Sequence, residues 1–79
     1  MDNKRETVRH RVLKAGTIAF RGAGISCRVR NLSASGAALE VENQIGIPPS
    51  FDLVLEPDHV NRPCHVVWRK ERRIGVAFD

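Results

Sequence analysis

Residues 25–42, ISCRVRNLSASGAALEVE, decide how this chain folds. Apolar and polar residues alternate through residues 25–30 and again through residues 37–42, which is the pattern of two strands that each bury one face. The stretch between them, residues 31–36, holds small polar side chains and ends in glycine. Asparagine and serine bond neighbouring backbone groups and glycine accepts positive φ, so this stretch predicts a tight connection between the two strands.

The same alternation recurs on both sides of this pair. It predicts six short strands, separated by turns rich in glycine, proline or charged residues. The predicted strands are residues 12–20, 25–31, 37–42, 51–56, 64–69 and 74–78. No stretch has convincing helical periodicity, so the predicted fold is all-β, a small six-stranded antiparallel β-barrel. We expect residues 1–11 to form a flexible basic N-terminal arm and residues 12–79 to form a single barrel domain.

The alternation also predicts which side chains lie in the core. Apolar residues of one phase should face inward, including Cys27 and Cys64 as reduced thiols. In the fifth strand, Trp68 shares a phase with Cys64 and Val66, so we expect its ring to be buried. The three phenylalanines also fall in the core phase, which leaves no aromatic platform on the outer surface.

Length and composition limit the class of protein. The chain has 79 residues, enough for one domain with a small core. Apolar and charged fractions of 42% and 28% are typical of a folded globular protein. No apolar run approaches the roughly 20 residues of a membrane span, and the first residues lack a signal-peptide pattern, so we expect a cytoplasmic protein. The histidines have no metal-ligand spacing to the cysteines, and we expect no metal.

The net charge of +4 is unevenly distributed along the chain. One cluster of basic residues lies in the last predicted hairpin, residues 69–73, where it is typical of a solvated turn. The other lies near the N-terminus and consists of Lys4, Arg5, Arg9, Arg11 and Lys14. Clustered cations suit an anionic partner, such as a phosphorylated small molecule, a nucleic acid or a membrane surface.

Two short motifs lie in the N-terminal segment and in the central connection. Residues 5–9, RETVR, have the form RxxxR, and residues 31–36, NLSASG, have the form [D/N]xSxxG. In this order and at this separation the motifs resemble the PilZ domain, the bacterial receptor module for cyclic di-GMP. The ending, with VVW at residues 66–68 and IGVAF at residues 74–78, is similar to the last two barrel strands of that family. The resemblance implies a PilZ-like split barrel, and because the chain stops at Asp79 we expect no substantial C-terminal helix.

The resemblance also implies a binding site for cyclic di-GMP. The motif positions that carry this role in the family correspond to Arg5, Arg9, Asn31, Ser33 and Gly36, with Arg11 close enough to contribute. The planar fork of arginine matches the O6 and N7 acceptors of guanine and also matches a phosphate. Asparagine can bond a base edge, serine can donate to a phosphate oxygen, and glycine lets the backbone approach the ligand. No cofactor other than this ligand is expected.

We therefore expect a receptor that orders its N-terminal arm on binding cyclic di-GMP and signals to a partner protein, as a monomer or a homodimer. Ordering the arm costs conformational entropy that the contacts must exceed. One alternative is a PilZ-fold protein-interaction module that does not bind nucleotide, and a small barrel that binds nucleic acid ranks third. We do not expect an enzyme, because the sequence has no nucleophile with histidine and carboxylate, no paired acids and no glycine-rich phosphate loop.

Overall fold

The computed structural model describes residues 10–79, with side chains described from Lys14 onward. Over this range the chain forms six antiparallel strands and no helix. The strands are β1 (His10–Phe20), β2 (Ala23–Leu32), β3 (Gly36–Glu40), β4 (Ser50–Leu55), β5 (Val60–Lys70) and β6 (Arg73–Phe78). They close into a barrel in the order β1-β2-β3-β6-β5-β4, which confirms the predicted fold class. Within the described range, no helix is long and apolar enough to cross a bilayer.

A two-residue turn joins β1 to β2. Its central residues, Arg21 and Gly22, have φ of 49° and 78°. A type I′ turn needs positive φ at both positions, and its twist matches that of the flanking strands. The two strands therefore pair without a register shift from Phe20 opposite Ala23 to Lys14 opposite Val29.

The fifth strand is longer than the alternation predicts. With strands at residues 51–56 and 64–69, the sequence predicts a connection over residues 57–63. In the structure β5 already begins at Val60, and Pro63 lies opposite Asp52 of β4. Proline is tolerated in a strand where its missing N–H is not needed for the ladder, so only residues 56–59 remain as the connection.

The barrel interior is filled by apolar side chains of one phase. Ile18, Val29, Leu39, Leu53 and Ile74 are completely inaccessible to solvent. The buried set as a whole is Ile18, Val29, Leu39, Val41, Ile47, Phe51, Leu53, Leu55, Cys64, Ile74 and Val76. Burial of each large aliphatic side chain is worth about 1.5–3 kcal/mol. The inward phase predicted for the second, third, fourth and sixth strands is confirmed.

The predicted burial of Trp68 is wrong. Trp68 is 44% exposed, and its neighbour Val67 is 56% exposed. The register of β5 on β6 shifts between Val66, opposite Val76, and Trp68, opposite Gly75. This β-bulge inserts one extra residue, so the side chain that follows it points to the other face of the sheet. Trp68 therefore lies on the outer surface.

A second bulge has the same effect in β2. The register on β3 shifts between Val29, opposite Leu39, and Asn31, opposite Ala38. Strict alternation would turn Asn31 inward with Val29, but the extra residue, Arg30, reverses the phase. Asn31 consequently shares the outer face with Ala38, and the bulge prevents burial of its amide in the apolar core.

An ion pair connects the two strands beside this bulge. Arg30 Nη1 lies 3.3 Å from Glu40 Oε1, and both side chains are partly exposed. At this exposure the pair contributes about 0.2–1 kcal/mol to stability.

Candidate functional site

The two bulges bring four residues into one row across the outer face of the barrel. Asn31 on β2 lies opposite Ala38 on β3, Ala38 lies opposite Gly75 on β6, and Gly75 lies opposite Trp68 on β5. Three strand spacings of about 4.8 Å separate the ends of this row by roughly 14 Å. The small residues in the middle therefore form a floor between an amide at one end and an indole at the other.

The indole of Trp68 is folded over Gly75. A Cβ built on Gly75 would overlap the indole ring at its nitrogen edge, so only glycine leaves room for the ring in this position. The aromatic side chain in turn shields the backbone of the glycine opposite it, which is a known cross-strand arrangement. The ring is thereby positioned on the floor of the row, with part of its surface exposed to solvent.

The motif turn, residues 31–36, is closed by its own hydrogen bonds. The Ser33 hydroxyl oxygen accepts from the backbone N–H of Gly36 at 3.2 Å and of Ser35 at 3.3 Å. The Ser33 backbone N–H donates to the Gly36 carbonyl oxygen at 2.9 Å, and the hydroxyl also lies 3.3 Å from that oxygen. Ser33 therefore has a structural role in the turn, whether or not it contacts a ligand.

Gly36 is required by packing between strands. A Cβ at this position would overlap the carbonyl oxygen of Val76 and lie 3.3 Å from the Cα of Ala77. The start of β3 thus approaches β6 more closely than any other residue allows. The close approach brings the motif turn next to the end of β6, where the backbone N–H of Phe78 donates to the Ser35 carbonyl oxygen at 2.8 Å.

A shallow cavity, the motif depression, lies beside this turn. Its volume is about 240 Å³. Its walls are Asn31, Ser33, Gly36, Ala37, Ala38, Val67, Trp68, Gly75 and Val76. Pockets that enclose a whole small molecule usually measure about 300–1,000 Å³, so the described residues can hold only part of a dinucleotide. Three predicted site residues, Asn31, Ser33 and Gly36, are brought together here.

Strand β1 begins beside the same turn. The backbone of β1 pairs with β2 so that Arg11 lies opposite Asn31 and His10 lies opposite Leu32. Arg5 and Arg9 lie outside the described residues, as does the side chain of Arg11. The register nevertheless puts the start of β1 at the turn that carries the second motif, rather than at the far end of the barrel.

Trp68 is the residue of this depression that the analysis of the sequence missed. The signal was present as three consecutive apolar residues, Val66, Val67 and Trp68, because such a run does not alternate and leaves the phase open. A second signal was that Trp68 and Gly75 lie across the last hairpin from each other, because a large aromatic ring and a glycine often pair across strands. Both signals indicate a bulge, but neither specifies its position.

The two cysteines, Cys64 in the core and the partly buried Cys27, are free thiols with raised pKa values. Burial raises the pKa of Cys27 to about 11. Burial, followed by the negative charges of Asp79 and Asp52, raises the pKa of Cys64 to about 12. Both thiols are protonated at neutral pH, which makes them poor nucleophiles and poor metal ligands. Within residues 10–79, no group of three histidine, cysteine or acidic side chains is arranged to hold a metal ion.

The barrel and its depression define a small β-domain with polar and aromatic groups around a shallow floor. A sequence model of the PilZ domain matches residues 3–79, which include both motifs. The chain therefore belongs to the PilZ domain family, a family of binding and receptor domains known for cyclic di-GMP. None of the curated proteins matches this chain.

Proposed function

We propose that this PilZ domain binds cyclic di-GMP at the motif depression and that the N-terminal arginines close over the ligand. The observation that carries this proposal is the row of Asn31, Ala38, Gly75 and Trp68 on one outer face, next to the start of β1. The Asn31 amide can bond a base edge and the Trp68 ring can stack on a base, and both groups lie on the same floor. The arginines of RxxxR precede this point by only a few residues.

The arginines supply the charge that the depression lacks. Among the depression's own residues none is cationic, whereas the ligand carries two phosphodiesters. Arg5, Arg9 and Arg11 would supply guanidinium forks for phosphate oxygens and for the O6 and N7 atoms of guanine. The small volume of the depression fits this division, since the described residues hold one part of the ligand and the arm holds the rest.

The residues of the turn have different roles in this proposal. Asn31 bonds a base edge, and Trp68 stacks on a base, a contact worth about 1–3 kcal/mol per base. The Ser33 hydroxyl lies 3.3 Å from its internal acceptors, a long distance for an O–H donor. It can therefore turn its proton toward a phosphate oxygen. Gly36 keeps β3 against β6 and so keeps Asn31 and Trp68 in one row.

Binding would order the arm and present a new surface to a partner protein, in the bacterial cytoplasm. A segment that folds on binding pays its conformational entropy at that step. Arm ordering is therefore expected to lower the affinity for the ligand while creating a surface that exists only in the bound state. This links occupancy of the depression to recognition by the partner.

Isothermal titration calorimetry with cyclic di-GMP tests the proposal, with GTP as the control nucleotide. We expect saturable binding of cyclic di-GMP and none of GTP. Arg9→Ala removes a charged hydrogen bond worth about 1.5–3 kcal/mol, so it should weaken binding by about 10- to 150-fold. Arg21→Ala is the matched control, because it changes the net charge equally at an exposed turn on the other end of β2.

Asn31→Ala tests the contribution of the turn without breaking it, since the side-chain hydrogen bonds within the turn in the described range are made by Ser33 and Ser35. Ser33→Ala is unsuitable because it also removes hydrogen bonds that close the turn. Equal affinities of the Arg9→Ala, Asn31→Ala and Arg21→Ala variants, or no binding of cyclic di-GMP by the wild-type chain, would contradict the proposal.

Single-stranded nucleic acid is a second candidate ligand, because one aromatic side chain does lie on the outer face. Exposed aromatic rings with nearby cations are the usual platform for unpaired bases. Only Trp68 is exposed, whereas Phe51 is buried and Phe20 and Phe78 are partly buried against the core. A single ring favours one base of a small ligand over a strand of bases. Oligonucleotide binding that falls steeply with salt would favour this second candidate.

A further inference from the structure

A second and larger groove lies at the other end of β2 from the motif turn. Its volume is about 780 Å³. It is lined by Ser26, Cys27, Arg28, Glu40, Val41, Glu42, Lys70, Glu71, Arg72 and Arg73. Ser26 and Asn31 are five residues apart on the same strand, so about 17 Å separates this β2 groove from the motif depression. Neither the family motifs nor the proposed nucleotide site uses it.

The groove exists because β3 ends opposite Arg28 and does not extend along the first part of β2, residues 23–27. The pairing of β2 with β3 runs from Leu32 to Arg28, which lies opposite Glu40. Beyond Glu40 the chain turns toward β6, where the Val41 N–H donates to the Arg72 carbonyl oxygen at 2.8 Å. Val41 is buried by this turn. Within residues 10–79, no strand pairs with residues 23–27 of β2 on the side that β3 leaves.

The open side of β2 presents backbone hydrogen-bonding groups to the groove. In an antiparallel pair, successive residues alternate between bonding the partner strand and pointing away from it. The two-residue turn makes Phe20 and Ala23 a bonded pair, so Gly24 and Ser26 point away from β1. The hydrogen bonds of β1 support this assignment. Ala15, opposite Arg28, belongs to the phase of β1 that points away from β2, and its carbonyl oxygen accepts from the Glu56 N–H at 3.0 Å on the β4 side. Gly24 and Ser26 are both exposed.

The rim of the groove is predominantly basic. Four exposed cations line it, on β2 and on the hairpin between β5 and β6, namely Arg28, Lys70, Arg72 and Arg73. Three acids also line it, but Glu40 is paired with Arg30 outside the groove, which leaves Glu42 and Glu71. An extended backbone seated in the groove therefore meets more positive than negative charge. Electrostatic complementarity favours an acidic segment as the occupant.

The same charges disfavour a second copy of this chain. Two β2 edges paired through Gly24 and Ser26 about a twofold axis would bring Arg28 of each copy near Arg21 of the other. Like charges placed opposite each other in a ladder are destabilising. A partner strand that carries carboxylates meets no such repulsion.

We propose that the open edge of β2 is a docking site where an extended acidic segment of a partner protein adds a strand through Gly24 and Ser26. Main-chain hydrogen bonds provide the pairing, as in other cases of strand addition. Carboxylates of the segment meet the cations of the rim. The site needs no bound nucleotide, so it can fail or succeed independently of the proposed receptor function.

Backbone amide NMR with a designed peptide tests this proposal. The probe is an N-acetylated peptide of about six residues, the usual length of a strand, that alternates valine and glutamate. At concentrations up to about 1 mM, which correspond to about −4 kcal/mol of binding, we expect saturable shifts at Gly24 and Ser26 and slower amide exchange there. A peptide that alternates valine and lysine is the charge control and should not bind.

Two variants separate backbone pairing from side-chain contact. Ser26→Pro removes one outward N–H and should weaken binding of the acidic peptide at least tenfold, about 1.4 kcal/mol, whereas Ser26→Ala keeps the N–H and should bind normally. Proline is tolerated where a strand edge faces solvent, and the rest of the amide spectrum reports whether the barrel stays folded. Lys70→Glu is an independent variant for charge, and it should also weaken binding.

The outcomes that overturn the proposal are distinct. Equal binding by Ser26→Pro and Ser26→Ala would exclude pairing with this edge, and equal binding of both peptides would exclude the role of charge. Shifts at Gly24 and Ser26 that depend only on protein concentration would make a second copy the occupant. Titration with cyclic di-GMP alone is the reference, because it should shift the motif turn and leave the β2 edge unchanged.

Discussion

Replacing Gly36 by alanine should destabilise this domain by about 2 kcal/mol. Its Cβ would overlap the carbonyl oxygen of Val76, which belongs to the ladder between β3 and β6 and cannot rotate away. Insertion of a methyl group into a packed site typically costs about 1–3 kcal/mol, and a backbone oxygen as the obstacle favours the upper part of this range. Alanine recovers about 0.5–1 kcal/mol because glycine loses more backbone entropy on folding. The difference leaves a cost of about 2 kcal/mol.

Gly24→Ala is the matched control for this change. Both glycines lie in strands, neither has the positive φ that strains other residues, and they differ in what a Cβ would meet. At Gly24 the nearest atom is the Cγ2 methyl of Thr17 at 3.1 Å, on a side chain that can adjust. The same entropic gain of about 0.5–1 kcal/mol offsets the cost of that adjustment, so we expect this exposed substitution to change the free energy of unfolding by less than about 0.5 kcal/mol.

Urea unfolding followed by the fluorescence of Trp68, the chain's only tryptophan, measures both variants. A loss of about 2 kcal/mol corresponds to a melting temperature about 8–16 °C lower for a domain of this size. If Gly36→Ala unfolded at the same urea concentration as Gly24→Ala, the close approach of β3 to β6 would be wrong. That result would also refute the role of Gly36 in packing β3 against β6, as distinct from a role in ligand binding alone.

Other regions of the barrel yield three further predictions. The pKa values of Cys27 and Cys64 are raised to about 11 and 12 in the folded protein, so the thiols of the unfolded chain ionise at lower pH than those of the folded protein. The free energy of unfolding should therefore be constant below about pH 9 and fall as pH rises toward 12. Alanine at both positions should flatten this fall in urea titrations made across that range. Arg30→Ala, which breaks the exposed pair with Glu40, should cost no more than about 1 kcal/mol, so a larger loss in thermal melts would mean that the pair is better buried than described. Trp68→Ala should weaken cyclic di-GMP binding in calorimetry by about 5- to 150-fold if the ring stacks on a base, and unchanged affinity would remove Trp68 from the site.

Much of the fold could be predicted because alternation is a local property of an extended chain. Side chains of successive residues point to opposite faces, so the burial of Phe51, Leu53 and Leu55 can be predicted without knowing the partner strand. The turn at Arg21 and Gly22 is equally local, since its glycine accepts the required positive φ. The family resemblance was also legible in the sequence, because both motifs are short and contiguous.

The arrangement of the candidate site was less predictable because it depends on register. The bulges at Arg30 and Val67 arise from how one strand pairs with its neighbour, and each reverses the phase of every later residue in its strand. Alternation alone therefore assigned Trp68 to the core, and it would have turned Asn31 inward as well. The structural role of Ser33 was also not predicted. Its hydroxyl oxygen accepts hydrogen bonds that close the turn, and the motif alone does not indicate this role.

By itself, then, the sequence determined the number of strands, the inner faces of the second, third, fourth and sixth strands, the first hairpin turn and the membership of the PilZ family, because these follow from near neighbours along the chain. Only the tertiary structure decided that Asn31 and Trp68 share an outer face, that Arg11 pairs opposite Asn31 and that β2 keeps an open edge beyond Arg28. Those features depend on where strands far apart in sequence meet when the barrel closes. Local periodicity does not carry that information.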